Sequence, residues 1–269
     1  MMKKIAIYCV NYNSYKYLPV FSATVDAAAK EVANVADVIV YVADNTEKQI
    51  ETIDLKMDYA KSFVFPYYEN VGYFGAVKRM MEETDVKQFD FVIVSNVDVK
   101  LCDDTLSALF NRYKDIDDSI GWIVPQIYSE VEKRDRNPQA TTRYSLRRLK
   151  LLHFMFKNPW LCFLYKKTAY KRKRLQSHAE GEIYAGHGSF VILTRRYIEK
   201  CGIIDYPMFL YCEEIYLAEQ CRINGLRVMY DRSVRIIDME HASTGKMPSS
   251  YYCKCNADAL EFVIKTFYQ

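Results

Sequence analysis

Val38-Ile39-Val40-Tyr41-Val42-Ala43 runs directly into Asp44-Asn45-Thr46. The run is short, apolar and rich in β-branched residues, which suits a strand buried on both faces of a parallel sheet. Upstream, residues 4–10 read as a similar strand ending in Asn11-Tyr12-Asn13. Between the two, residues 17–35 place Leu18, Phe21, Val25, Ala28 and Val32 at helical spacing. Downstream come a short helix near 48–59, a strand at 62–65, a turn from Asn70 to Gly75 and a helix at 76–83. A fourth strand at 89–94 then ends in Ser95-Asn96-Val97-Asp98. This β-α-β-α-β-α-β rhythm predicts a parallel sheet with helices on both faces. Ligands of such sheets bind beyond the carboxyl ends of the strands. Asn11, Asp44, Asn96 and Asp98 collect at those ends, which plain packing does not require.

The remaining chain is read more coarsely. It contains a helix at 104–113, a strand at 120–125, a polar loop at 126–142 and a strand at 182–194. A helix at 195–201, a helix at 215–223, strands at 227–230 and 233–239 and a last helix at 251–268 follow. The 269 residues are read as one domain. It divides into a first half (1–125), a basic amphipathic insertion (143–175) and a last half (182–269). With 50% hydrophobic and 26% charged residues the chain is globular, not disordered. No apolar run reaches the roughly 18 residues of a membrane helix, and residues 5–10 are too short for a signal-peptide core. These features predict a cytoplasmic protein. The eight cysteines form no CxxC pair and read as reduced, buried thiols.

The net charge of +3 hides an asymmetry. Residues 143–174 hold 11 Lys and Arg and no acid, leaving 26 basic against 34 acidic residues elsewhere. Within this stripe, cations alternate with Leu, Phe, Met and Trp. That composition predicts contact with an anionic membrane surface; no nucleic-acid motif accompanies it, so nucleic acid is not expected as a partner.

Two phosphate-binding signatures are missing. No GxGxxG follows the first strand, and no GxxxxGK followed by Ser or Thr occurs, which argues against a nicotinamide dehydrogenase and a P-loop enzyme. Carboxylates facing a nucleotide then suggest a divalent metal bridging a diphosphate.

Six motifs, in order along nearly the whole chain, resemble one family. Val10-Asn11-Tyr12-Asn13 opens the series and Ala43-Asp44-Asn45 follows. Asn70-x-Gly72-Tyr73-x-Gly75 resembles a family turn, and Asn96-Val97-Asp98 stands where the family has its DxD. Gly202-x-x-Asp205 with Phe209-Leu210-Tyr211-x-Glu213-Glu214 resembles the catalytic segment, and His241 with Ser243 resembles a late His-x-x-Ser. Together they resemble the inverting family-2 glycosyltransferases, in particular the bacterial polysaccharide, rhamnosyltransferase-like branch. The resemblance implies an α/β GT-A fold, a mixed and mainly parallel sheet flanked by helices.

It also implies roles. A sugar would pass from a UDP or dTDP donor to a hydroxyl of a glycan acceptor, lipid-linked, in cell-surface polysaccharide synthesis, at the inner membrane face. Asp44 would accept from the nucleobase, with Asn11, Tyr12, Asn70, Gly72, Asn96 and Gly188 around the nucleotide sugar. Asp98 and His241 would hold Mn2+ or Mg2+. The family's base position falls on Glu214, with Glu213 beside it as the alternative. Asn96 departs from the DxD pattern by replacing its first carboxylate, and Lys78 and Arg79 follow the turn where small residues are usual. A nucleotidyltransferase, or a membrane-associated scaffold without turnover, are the rival readings.

Overall fold

The structure is a computed structural model that describes residues 2–48, 52–168, 178–239 and 249–269. Its centre is β1 (Lys3–Asn11), with β2 (Ala36–Asp44) on one side and β4 (Phe91–Asn96) on the other, all parallel. β3 (Ala60–Pro66) extends the parallel set beyond β2. Period-2 alternation explains the continuous apolar runs. Ile5, Ile7 and Cys9 face one core, with Val38, Val40 and Val42; Ala6, Tyr8, Tyr41 and Ala43 face the other. Helices α1 (Leu18–Lys30) and α3 (Thr105–Tyr113) cover the first face through Phe21, Val25, Leu106 and Leu109. On the second face lie α2 (Tyr73–Glu83), α6 (Arg195–Cys201), α7 (Glu213–Ile223) and α8 (Ser249–Phe267).

Beyond β4 the sheet turns mixed. β8 (Phe190–Thr194) runs antiparallel to both β4 and β6 (Ile120–Ser129), and β6 lies parallel to β9 (Arg227–Asp238). β5 (Val99–Leu101) and β7 (Gly181–Ile183) add antiparallel pairs on β9. The first four strands are parallel as their rhythm predicts, and the whole is the mixed, mainly parallel sheet that the resemblance implies, with β8 entering antiparallel beside β4.

Other expectations are corrected. Residues 52–58 form no helix; 49–51 lie outside the described residues. The Asp26 carboxylate accepts the backbone N–H groups of Asp58, Tyr59 and Ala60, at 3.0, 2.7 and 3.0 Å, and draws the chain into β3. The single strand read at 182–194 is two strands, parted by residues 184–189. The two strands read at 227–239 are one, with a register irregularity opposite Pro125. Thiols were expected throughout, yet Cys162 and Cys253 form a disulfide across 91 residues of chain. Packing of α5 (Pro159–Thr168) on α8 brings them together, and no local pattern announces that.

The basic stripe also divides. Arg143 remains exposed on one side but turns its guanidinium inward: it makes two bonds to Glu219 of α7, at 2.7 and 3.1 Å, and lies 3.9 Å over the Tyr268 ring. Glu219 is fully buried and also accepts from Tyr184 and Arg222, both at 2.7 Å. α4 (Leu146–Lys157) starts at a Ser145 cap and packs on α8 through Leu149 and Phe156. Lys171 to Arg174 lie outside the described residues. Glu219→Ala removes a buried, fully bonded carboxylate and leaves its arginines without it. Denaturant titration should show a loss of about 3 kcal/mol; a change under about 1 kcal/mol would mean the network is not what holds α7, α8 and the stripe together.

Candidate active site

Strand register assembles one side of the site. Asn11 lies opposite Asp44, and Val10 opposite Asn96, so three polar residues share one carboxyl edge. Asp44 is almost fully buried. Its carboxylate accepts from Asn11 Nδ2 at 3.1 Å, from the Thr46 N–H at 3.1 Å and from the Tyr15 hydroxyl at 2.7 Å. Three of the roughly four acceptor sites of a carboxylate are therefore taken. Tyr12 is half-buried beside this edge, close enough to α8 for its phenol to act on that of Tyr251.

The Asn70–Gly72 turn is clamped from two directions. Asn45 Nδ2 donates to the Gly72 carbonyl at 3.0 Å, and the Gly72 N–H donates to Asn70 Oδ1 at 3.3 Å. Gly72 has φ +81°, and a Cβ there would come within 2.1 Å of the Phe209 carbonyl oxygen. The turn therefore seats on the segment that leads to Glu213. Gly75, expected to help this turn, lies inside α2 and is corrected to a helix residue. Lys78 pairs with Asp205 at 2.7 Å and Arg79 with Glu69 at 2.9 Å, so both serve surface ion pairs.

Residues 186–189 cross between the two halves. The Asn96 N–H donates to the Ser189 carbonyl at 2.9 Å, and the Tyr73 hydroxyl to the Gly188 carbonyl at 3.2 Å. The Gly188 N–H donates to Glu214 Oε1 at 3.2 Å, and the His187 N–H to Asn137 Oδ1 at 2.7 Å. A Cβ on Gly188 would sit 3.2 Å from Glu214 Oε1, tight for any side chain. His187 is half-buried and its Nδ1 lies 3.1 Å from the Ser189 N–H, a bond local to the loop.

Glu213 and Glu214 open α7 as expected, but their environments differ. The Glu213 carboxyl is buried and accepts the Tyr211 N–H at 2.9 Å. Burial, reinforced by the neighbouring Glu214, pushes its pKa from 4.5 to about 8, so it is mostly protonated at neutral pH. Glu214 is half-buried and turned to the 186–189 loop. Tyr211 and Cys212, immediately before them, both adopt left-handed backbone, with φ +73° and +61°. Such geometry costs on the order of 1–3 kcal/mol per residue and gathers at functional sites.

Asp98 is buried between β4 and β5, and its carbonyl accepts the Met239 N–H at 3.0 Å. The phenol of Tyr73 ties this corner to the rest. Burial holds its pKa well above the usual range, and the neighbouring acidic groups of Cys9, Glu213, Asp98 and Glu214 push the same way. Asn11, Asp44, Asn70, Gly72, Asn96, Asp98, Gly188, Glu213 and Glu214 thus lie along one connected set of bonds and charges. His241 lies outside the described residues. Sequence reading missed Tyr15, which bonds Asp44, and Asn137, which holds the loop; neither carries a local signal.

This architecture matches a solved structure, that of GalNAc-T7 with UDP, GalNAc and Mn2+, at a TM-score of 0.63 over 99% of this chain, with 12% identity. The chain has the GT-A glycosyltransferase fold. It spans about half, 49%, of that GT-A protein. Two strains of Mycobacterium tuberculosis supply curated relatives named N-acetylglucosaminyl-diphospho-decaprenol L-rhamnosyltransferase. Each is 24% identical over 93% of this chain and 81% of its own length. No family model matches the chain. The expected kinship with family-2 glycosyltransferases, and the expectation of an enzyme of that type, are borne out by these likenesses.

Two consequences are measurable. Between pH 4.5 and about 8 the folded protein keeps a proton on Glu213 that the unfolded chain releases, so this group lowers stability as pH rises. Glu213→Gln should therefore melt progressively higher relative to wild type from about pH 5 to about pH 9; a pH-independent difference would contradict the buried, protonated carboxyl. In the turn, Gly72→Ala should cost about 3 kcal/mol, whereas Gly75→Ala, in an ordinary helical position, should gain about 0.5–1 kcal/mol. Equal effects in denaturant unfolding would mean the turn is not seated on Phe209.

Proposed function

We propose that this GT-A protein is an inverting transferase that moves a hexosyl group from a UDP or dTDP donor to a hydroxyl of a lipid-linked glycan. The relatives' name, a rhamnosyltransferase acting on N-acetylglucosaminyl-diphospho-decaprenol, supports an acceptor sugar on a polyprenyl diphosphate and a role in cell-surface polysaccharide synthesis. Such an acceptor would bring the enzyme to the inner face of the cell membrane. The carrying observation is the bond from the Gly188 N–H to Glu214, which joins the carboxylate pair of α7 to the strand ends.

Glu214 is assigned as the base. Glu213 is protonated at neutral pH and bonded to Tyr211, which suits a positioning role. Glu214 uses Oε1 for the Gly188 N–H and keeps Oε2 for the acceptor hydroxyl. As that proton moves to Glu214, the acceptor oxygen attacks the anomeric carbon from one face. The bond to the diphosphate breaks on the other, its electron pair leaving with the nucleotide, so one displacement inverts the centre. On the donor side, Asp44 retains about one acceptor site for the N3–H of uracil or thymine, with Tyr12 beside the ring. Asn11, Asn70, Gly72, Asn96 and Gly188 frame the rest of the nucleotide sugar.

The donor set fits a divalent cation that arrives with the diphosphate. Among the described residues no group of three His, Cys, Asp or Glu could hold a metal by itself. Mg2+ and Mn2+ need few protein carboxylates when phosphate oxygens and water complete the shell. Asp98 would be the protein's carboxylate, with His241 as the further candidate. The ion would neutralise charge on the departing diphosphate.

Glu214→Gln should lower kcat by about 10²–10⁴ with nucleotide binding unchanged, while Glu213→Gln should lose far less. The reverse ranking would move the base to Glu213. In thermal shift, UDP or dTDP should stabilise the protein only with Mn2+ or Mg2+, and Asp98→Ala should abolish the effect. If no nucleoside diphosphate stabilises it with metal, the donor site is wrong and the scaffold reading replaces it.

A further inference from the structure

The fold commits Arg143 to Glu219 but leaves a run of basic and apolar side chains of the described stripe facing outward. On α4, Arg147, Leu151 and Phe154 fall on one face, with Arg148, Lys150 and Lys157 at its margins. On α5, Trp160, Phe163 and Leu164 repeat the spacing. Leu151, Phe154 and Trp160 are 68%, 61% and 70% exposed, a concentration of large apolar side chains that a water-facing helix does not need. No carboxylate among the described residues pairs with Arg147, Arg148 or Lys150. The opposite side is firmly mounted: Leu149 and Phe156 pack on α8, and Cys162 is bonded to Cys253.

We propose that this α4–α5 face docks on an anionic lipid surface, with Phe154 and Trp160 entering the headgroup region and Arg147 and Lys150 meeting lipid phosphates. Charge complementarity selects the occupant. The stripe is purely basic while the remaining chain is net acidic, so an anionic surface attracts this face and repels the body. Amphipathic helices with aromatic residues beside Arg and Lys bind in this way. Neither helix is long and apolar enough to cross a membrane. The mounted side of α4 in turn leads to the site. Phe156 contacts Tyr252 with ring centroids 5.9 Å apart, and Tyr252 contacts Tyr211 at 5.1 Å, two residues before Glu213. The purpose of docking rests on the lipid-linked acceptor reading, since it brings the carboxylate pair to the surface where such an acceptor lies.

The chain carries its own reporter. Of its two tryptophans, Trp122 is fully buried and Trp160 is exposed, so a change in emission on lipid contact comes from Trp160. Full-length protein is mixed with vesicles of phosphatidylcholine, alone or with about one-third phosphatidylglycerol. Co-sedimentation and a blue shift of Trp160 emission are expected only with the anionic vesicles, weakening as salt rises. Leu151→Ser/Phe154→Ser should reduce binding at least about tenfold, and Arg147→Gln or Lys150→Gln about fivefold each. Melting temperature and nucleotide-induced stabilisation should not change in these variants, because the positions are exposed.

The proposal is overturned by absence of binding at low salt, by equal binding to neutral vesicles, or by preference for a single-stranded oligonucleotide. A dimer in solution that Leu151→Ser/Phe154→Ser dissolves would also overturn it, since a second copy would then cover the face. Vesicle binding requires no turnover. Docking without transfer to a lipid-linked acceptor would uphold this face and reject the acceptor reading; transfer without docking would do the opposite.

Discussion

The hydrogen bonds made by residues 186–189 are the constraint on which the rest of the site depends. The sheet changes direction between β4 and β8, and this short loop spans the change. Its backbone is fixed by the Asn96 N–H, the Tyr73 hydroxyl, the Asn137 side chain and the Glu214 carboxylate. Each partner comes from a different part of the chain. Without that loop, the strand ends and the start of α7 would be two unrelated polar surfaces. The antiparallel return of β8 is therefore what turns a row of polar strand ends into a two-sided site.

Stability is given up around this loop. Glu213 is buried beside Glu214, and its raised pKa expresses the cost of placing charge there. Tyr211 and Cys212 hold left-handed backbone just before it, and Gly72 accepts a close contact with Phe209. The compensation lies a helical turn or two away. Glu219, on the same helix, is bonded by Arg143, Tyr184 and Arg222 and anchors α7 to α8 and to the start of the insertion. A strained helix start is thus held by a well-bonded interior, an arrangement expected where side chains must keep a fixed direction.

Much of this was legible in the sequence because it is local. Buried strands announce themselves by β-branched runs, so β1, β2 and β4 and their polar ends at Asn11, Asp44 and Asn96 could be read directly. Glu213 and Glu214 stood out as adjacent acids before a helical pattern. What stayed hidden depends on distant partners. A carboxylate at Asp26 holds the backbone of residues 58–60 at the entry to β3, where the sequence reads as a helix. The split of 182–194 follows from the bond between Asn137 and His187, 50 residues apart. Arg143 looks like its basic neighbours until Glu219 is found beneath it, and Cys162 meets Cys253 only through packing of α5 on α8. The two carboxylates at the head of α7 look alike in sequence; burial and different partners, Tyr211 for Glu213 and Gly188 for Glu214, separate their surroundings.

The central claim is that one displacement takes place between Glu214 and the strand ends. Its most direct test is the stereochemistry of the product. Wild-type protein is incubated with UDP- and dTDP-hexose donors and an N-acetylglucosaminyl polyprenyl diphosphate, and the new anomeric linkage is read from its proton coupling by NMR. The account predicts a linkage inverted relative to the donor. A retained configuration would contradict it, because retention requires a second displacement or a front-face departure for which this arrangement has no assigned group.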